Sequence, residues 1–278
     1  MLLPLINTVL GERVEQRDSL EVLWMGSQSS RLAVVTGASS GIGEAFARRL
    51  ARDGFDLAVV ARRAELLESL AAELRKNCSV SVEVLSADLA ADEGISKVED
   101  FIAKSPVSML VNNAGFSVDG SFMEADFDGQ LKMVTVHDVA TMRLTRASLP
   151  GMLERTSGDI INVSSMGGLV PAPYSVTYNA TKAFLVMFTE CLSQELVGSG
   201  IRLQVLCPGF THTGFHAAMG AVRKLPEMAW MNTGDVVEES LAALQKGKVV
   251  FVPGRLNRLN YGFVRALPAP ARRWVLRA

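Results

Sequence analysis

The chain has 278 residues, 49% of them hydrophobic, and 28 lysines and arginines against 29 aspartates and glutamates for a formal charge of -1. That supplies one large α/β core, and the balanced charge argues against nucleic acid as a partner. Cys78, Cys191 and Cys207 have neither metal-ligand spacing nor an even-numbered framework. No metal and no disulfide scaffold is therefore expected, and a reducing, cytoplasmic compartment is.

No apolar run reaches the ~18 residues of a spanning helix, so no transmembrane segment is expected. Residues 1–30 lack a basic leading region and are interrupted by Pro4 and Asn7, so they do not read as a signal peptide. They read as a flexible arm, an appended helix, or an over-long start with Met25 as the initiator. From Arg31 the pattern becomes regular. A short apolar run at 32–35 that ends in glycines, with further strand segments at 57–60, 80–85, 109–111, 160–163, 203–206 and 249–252, predicts seven strands. Helical patterns fall between them, among them 43–53 and 64–76, the latter with Leu66, Leu67, Leu70 and Leu74 at helical spacing. Strand–helix alternation of this length predicts a single doubly wound parallel sheet with helices on both faces, spanning 31–255 between an extension (1–30) and a basic tail (256–278).

Two motifs carry chemistry. Thr36-Gly37-Ala38-Ser39-Ser40-Gly41-Ile42-Gly43 joins the first strand to a helix. Glycines there let the backbone turn sharply, and the helix N-terminus offers free N–H groups and a positive dipole end to a pyrophosphate. Tyr178-Asn-Ala-Thr-Lys182 puts a phenol and an ammonium four residues apart, on one face of a helix. A phenol titrating near pH 10 is a poor acid–base group, and a neighbouring lysine charge is expected to lower that value. Ser165 lies thirteen residues before Tyr178, while Tyr174 and Ser164 are out of register.

These segments resemble the single-domain branch of the short-chain dehydrogenase/reductase family, over roughly residues 31–255. Three more match in order: Asp88-Leu89, Asn112-Asn113-Ala114-Gly115, and Cys207-Pro208-Gly209-Phe210-Thr211-His212-Thr213. The resemblance implies a Rossmann-type fold and hydride transfer between a nicotinamide dinucleotide and a carbonyl or secondary alcohol, with Ser165, Tyr178 and Lys182 catalytic. It implies a cofactor held by Gly37, Ser39, Ser40, Gly41, Ile42, Gly43, Asp88, Leu89, Asn113, Ala114, Gly115, Tyr178, Lys182, Pro208, Gly209, Thr211 and Thr213. It further implies a homodimer or homotetramer. Ala61 stands where NAD-preferring relatives carry an aspartate, and Arg62 follows. NADP(H) is thus the expected cofactor, with NAD(H) admitted and Arg62 as the 2′-phosphate partner.

Two positions depart from the family pattern. His137 replaces an asparagine that is thought to hold a water beside the lysine. The alternative reading is therefore a catalytically weak dinucleotide-binding regulatory protein. Ser108 replaces a frequent aspartate and reads as structural. A lid is expected near 213–232, whose Met219, Leu225, Met228, Trp230 and Met231 suit a lipophilic substrate. Finally, residues 247–278 hold Lys248, Arg255, Arg258, Arg265, Arg272, Arg273 and Arg277 and no acidic residue. A helix docked on the body or a partly disordered tail is the favoured reading, and a weak contact with an anionic membrane surface or a cover for an apolar substrate pocket the second.

Overall fold

The computed structural model describes residues 31–118, 120–171, 173–214 and 226–267. The extension 1–30, the lid residues 215–225 and the tail 268–278 lie outside these. The strands are β1 (Arg31–Thr36), β2 (Phe55–Ala61), β3 (Val82–Ser86), β4 (Val107–Asn112), β5 (Gly158–Val163), β6 (Ile201–Leu206) and β7 (Val250–Phe251). They form one sheet in the order β3-β2-β1-β4-β5-β6-β7, every neighbouring pair parallel. The expected architecture stands, with strand ends moved by one or two residues.

Helices α1 (Gly41–Arg52), α2 (Ala64–Cys78) and α7 (Thr233–Gln245) contribute to one core cluster, and α3 (Asp92–Ala103) and α5 (Ala140–Glu154) to the other. Strand side chains alternate between the two. Ala33 and Val35 of β1 join Phe46, Leu50, Leu67 and Val237, while Leu32 and Val34 join Ile95, Val98, Leu144 and Met152. Burial on both faces is why the central strands are largely apolar. Strand order reverses between β1 and β4, which opens a crevice beyond their carboxyl ends, where open α/β sheets take ligands.

Helix α6 (Val176–Glu195) packs its Leu185 and Val186 against Val205 and Cys207. The helix preceding β5 is not uniform. α4 (Phe127–Val134) runs into a π-helical turn (Thr135–Val139) and then into α5. The apolar pattern alone contains no sign of that turn. C-terminal helix α8 (Arg255–Ala266) is docked through buried Asn257 and through Tyr261, as the favoured reading of that segment has it for these residues.

A buried polar chain crosses the carboxyl half of the sheet. Asn112 Nδ2 on β4 donates to Asn162 Oδ1 on β5 at 2.9 Å and to Thr145 Oγ1 at 3.1 Å; Asn162 Nδ2 donates to Thr189 Oγ1 on α6 at 2.9 Å. All four residues are buried, so each group depends on the others. Asn162→Ala leaves a cavity and removes one of the two partners of the Asn112 amide and the donor to the Thr189 hydroxyl. It should cost about 2–4 kcal/mol of stability, read as a lowered urea midpoint. An unchanged midpoint would show that the chain is not holding the sheet to α6.

Candidate active site

The crevice is a cavity of about 470 Å³. Its lining gathers Gly37, Ser39, Ser40, Gly41 and Ile42 of the first loop, Arg62, Asp88, Leu89, Asn113, Ala114, Gly115, Ser165, Tyr178, Lys182, Pro208, Gly209, Thr211 and Thr213. One expected residue, Gly43, is not among them. A Cβ at Gly43 would lie 2.4 Å from both Gly37 O and Asn113 Nδ2, so this glycine lets α1 pack against the loop instead of meeting a ligand. Lining residues absent from the expected set include Arg63, Phe116, Lys132 and Ser164. Tyr174 is solvent-exposed and outside the cavity, in keeping with its being out of register.

The loop is tied to the sheet at one residue. Thr36 Oγ1 accepts from Asn113 N at 2.9 Å and Ala114 N at 3.0 Å, while Asn113 Nδ2 donates to Thr36 O at 2.9 Å. Gly37 and Gly41 have φ of +68° and +62°, which side chains with a Cβ rarely adopt. α1 starts at Gly41, and the side chain of Ser40 makes no capping hydrogen bond. The first N–H groups of α1 therefore lack an intrahelical or side-chain cap where Gly41 and Ile42 line the cavity, as an anion there requires. A dinucleotide fits these residues: N–H donors at the loop, arginines at one end and hydroxyls at the other.

At the arginine end, Ala61 closes β2 without a charge. Arg62 and Arg63 both line the cavity, but it is Arg63 whose Nη2 donates to Ser39 Oγ (2.9 Å) and Ser40 Oγ (3.1 Å). Arg62 and Arg63 stand together at this end of the cavity. Which of two adjacent arginines turns toward the loop is a feature no residue pattern encodes.

At the other end, β5 runs into Ser164 and Ser165. Ser164 Oγ donates to Lys182 O at 2.7 Å and is thereby occupied with packing α6. Ser165 Oγ accepts from Gly167 N at 3.1 Å and shares a hydrogen bond with the Tyr178 hydroxyl. Lys182 Nζ donates to Val163 O at 2.9 Å and lies 5.7 Å from the centroid of the Tyr178 ring. Burial lowers the Lys182 ammonium to about 8, against the opposing pull of the Asp138 carboxylate. Burial likewise raises Asp138 to about 7, opposed by Lys182. The Tyr178 phenol is raised by burial, and the Ser165 hydrogen bond lowers it only in part. Burial sets the direction of the shift and Lys182 is not among its causes, so the expected lysine-driven lowering is not found here.

His137, left out of the expected site, sits in the π-helical turn and is fully buried. Its ring centroid is 5.8 Å from that of Tyr178. Nε2 accepts from Phe116 N at 3.2 Å, which leaves the proton on Nδ1 to donate to Thr181 Oγ1 at 2.8 Å. Thr181 Oγ1 in turn donates to Tyr178 O at 2.8 Å. The histidine joins the segment after β4 to the helix that carries Tyr178 and Lys182. It has room because residue 115 is glycine: a Cβ there would lie 2.7 Å from Nε2.

Against known proteins, the family model described as short chain dehydrogenase matches residues 31–224. The chain belongs to that family. Among solved structures, a short-chain dehydrogenase from Sphingobium yanoikuyae in complex with NADPH is 32% identical with a TM-score of 0.77, covering 86% of this chain and 97% of that one. A bulky-bulky ketone specific alcohol dehydrogenase from Comamonas testosteroni is 28% identical with a TM-score of 0.74, covering 87% and 96%. Among curated proteins, the very-long-chain 3-oxoacyl-CoA reductase of Bos taurus is 32% identical over 194 residues, 68% of this chain. The match spans 61% of that relative's length.

The network around His137 fixes a neutral ring. Burial and the nearby Lys182 charge hold its pKa well below the usual imidazole value. A protonated Nε2 would also face the Phe116 N–H with no acceptor between them. Nitrogen-detected NMR should find the Nδ1–H tautomer unchanged from pH 8 to about 5.5, whereas a free imidazole titrates near 6.5. The unfolded chain takes up a proton below about 6.5 that the folded ring refuses, so this residue withdraws stability as pH falls through that range. A midpoint near 6.5 for the folded protein would overturn the assignment.

Proposed function

We propose that the chain is an NADP(H)-preferring oxidoreductase that interconverts a lipophilic ketone and the corresponding secondary alcohol. The observation that carries this reading is the Ser165–Tyr178 hydroxyl pair, with Lys182 beside it, in the same cavity as the loop-end arginines. When bound, the nicotinamide supplies or accepts the hydride. The chain's own part is geometry and the proton. Ser165 and Tyr178 present hydroxyls to one substrate oxygen, and Tyr178 gives that oxygen its proton during reduction. A phenol titrates near 10, and burial raises this one further, so it is in the protonated, donating form at neutral pH. Lys182, lowered to about 8, is still mostly charged at pH 7 and opposes the cost of the phenolate.

The NADP(H) preference rests on the absence of a carboxylate at Ala61 and on the Arg62–Arg63 pair beside Ser39 and Ser40. The Sphingobium relative, bound to NADPH, supports it. A lipophilic substrate is supported by Phe210 and Trp230, whose rings lie 5.7 Å apart beside the Pro-Gly turn, and by exposed Met228. The names of the Comamonas and bovine relatives point the same way. Unpaired Cys78, Cys191 and Cys207 suit a cytoplasmic setting. Exposed Leu131, Met142, Val176 and Met187 on α4, α5 and α6 support a homo-oligomer. The regulatory alternative draws no support from His137, whose hydrogen bonds hold the Tyr178 helix.

A panel of ketones followed by absorbance of the reduced cofactor tests this reading, and an inert enzyme on a wide panel would favour the regulatory protein. On a verified substrate, Tyr178→Phe should lower turnover by about a hundredfold or more with cofactor affinity little changed. Retention of most activity would remove Tyr178 from its role. Charge-assisted hydrogen bonds contribute roughly 1.5–3 kcal/mol. The double variant Arg62→Ala/Arg63→Ala should therefore bind NADPH about tenfold to a hundredfold more weakly, with NADH affinity unmoved. Equal losses for the two cofactors, read by fluorescence titration, would sink the preference.

A further inference from the structure

We propose that the outer face of α8 is a docking surface for an anionic phospholipid membrane. The inner face of this helix is fully committed. Asn257 Nδ2 donates to Pro253 O at 3.0 Å and to Met231 Sδ at 3.4 Å, and its side chain fills the space beside Gly209, where a Cβ would lie 2.7 Å away. Arg258 pairs with Glu239 at 2.8 Å and also donates to Val252 O. The outer face has the opposite character. Leu256, Leu259 and Phe263 follow one another at i, i+3 and i+7, so they form one stripe, and they are 42%, 71% and 63% exposed. A helix on the surface of a soluble domain ordinarily turns polar residues outward there.

The charge around the stripe selects the occupant. Arg255 is exposed beside it and has no ion-pair partner among the described residues. The sequence runs on through Arg272, Arg273 and Arg277 without an acidic residue anywhere from 247 to 278, so all 29 acidic residues precede this end. Two copies of the face would set arginine against arginine with no carboxylate to neutralise them. An anionic bilayer meets both needs: its acyl boundary takes the leucines and phenylalanine, and its headgroups take the arginines. Stable attachment takes these two signals together. Because Asn257 abuts Gly209, which lines the cavity, the same helix connects the membrane-facing stripe to the cofactor-side turn.

Sedimentation of the full chain with vesicles tests the proposal. Binding is expected to vesicles of mixed phosphatidylcholine and phosphatidylglycerol at low salt. It should weaken as salt is raised and be absent with phosphatidylcholine alone. Leu259→Asp/Phe263→Asp should bind at least about tenfold more weakly, and Arg255→Glu, which keeps the apolar stripe, about tenfold more weakly. Melting temperature and NADPH affinity should be unchanged in both variants. Absence of vesicle binding by the wild type overturns the proposal. So does unimpaired binding by either variant. A wild-type mass in ultracentrifugation that falls on Leu259→Asp/Phe263→Asp, without vesicle binding, assigns the stripe to a second copy and overturns it as well.

Discussion

The join between the carboxyl ends of β1 and β4 is the constraint to which the rest of the cavity is referred. At Thr36 one hydroxyl takes two backbone donors, Asn113 N and Ala114 N, and the Asn113 amide returns a bond to the Thr36 carbonyl. Parallel strands at a topological switch point diverge, and their connections leave in opposite directions. Without a cross-link there, the glycine loop from β1 and the Gly115–Phe116 segment from β4 would be free to move apart. With it, the anion-binding end of α1 and the backbone that His137 grips are fixed in one frame. Gly43 belongs to the same packing, since only a residue without a Cβ lets α1 close over Gly37 and Asn113.

The reactive end is held by a different economy, that of burial. Lys182 is an ammonium in the interior, with the Val163 carbonyl as its nearest acceptor and a half-buried carboxylate, Asp138, as its opposing charge. Desolvation dominates both groups and moves them toward each other's range, so neither titrates where an exposed residue would. Asp138 Oδ1 is buried without a hydrogen-bond partner among the described residues. Cys207 belongs to the same apolar wall, and burial pushes its thiol up to about 12, which keeps it a neutral packing group next to a lysine.

Much of this was legible in the sequence because it depends on local pattern. Strands buried on both faces are mostly apolar, and β1, β2, β4, β5 and β6 were visible for that reason. The turn geometry of Gly37 and Gly41 demands glycine, and a four-residue spacing puts Tyr178 and Lys182 on one helical face. What could not be read depends on tertiary environment. Arg63, not Arg62, meets Ser39 and Ser40, and no residue pattern distinguishes the two. The Tyr178 phenol is raised, not lowered, because it is buried, and a four-residue spacing does not contain burial. The link from Asn112 through Asn162 to Thr189 joins residues far apart in the chain, and the exposure of Leu259 and Phe263 follows from how α8 docks.

The π-helical turn at Thr135–Val139 adds one residue to a helix that would otherwise continue in phase. Each residue of an α-helix turns the chain by about 100°, so α4 and α5 present faces that no single heptad-like register describes. An insertion–deletion view makes the consequence concrete. Removing one residue from this turn would restore a regular helix and rotate all of α4 relative to α5. His137 would leave its place between Phe116 and Thr181, and Gln130 would be pulled from the Thr177 hydroxyl it now accepts from at 2.5 Å. The length of this helix, and not only its composition, is therefore part of the active site's specification.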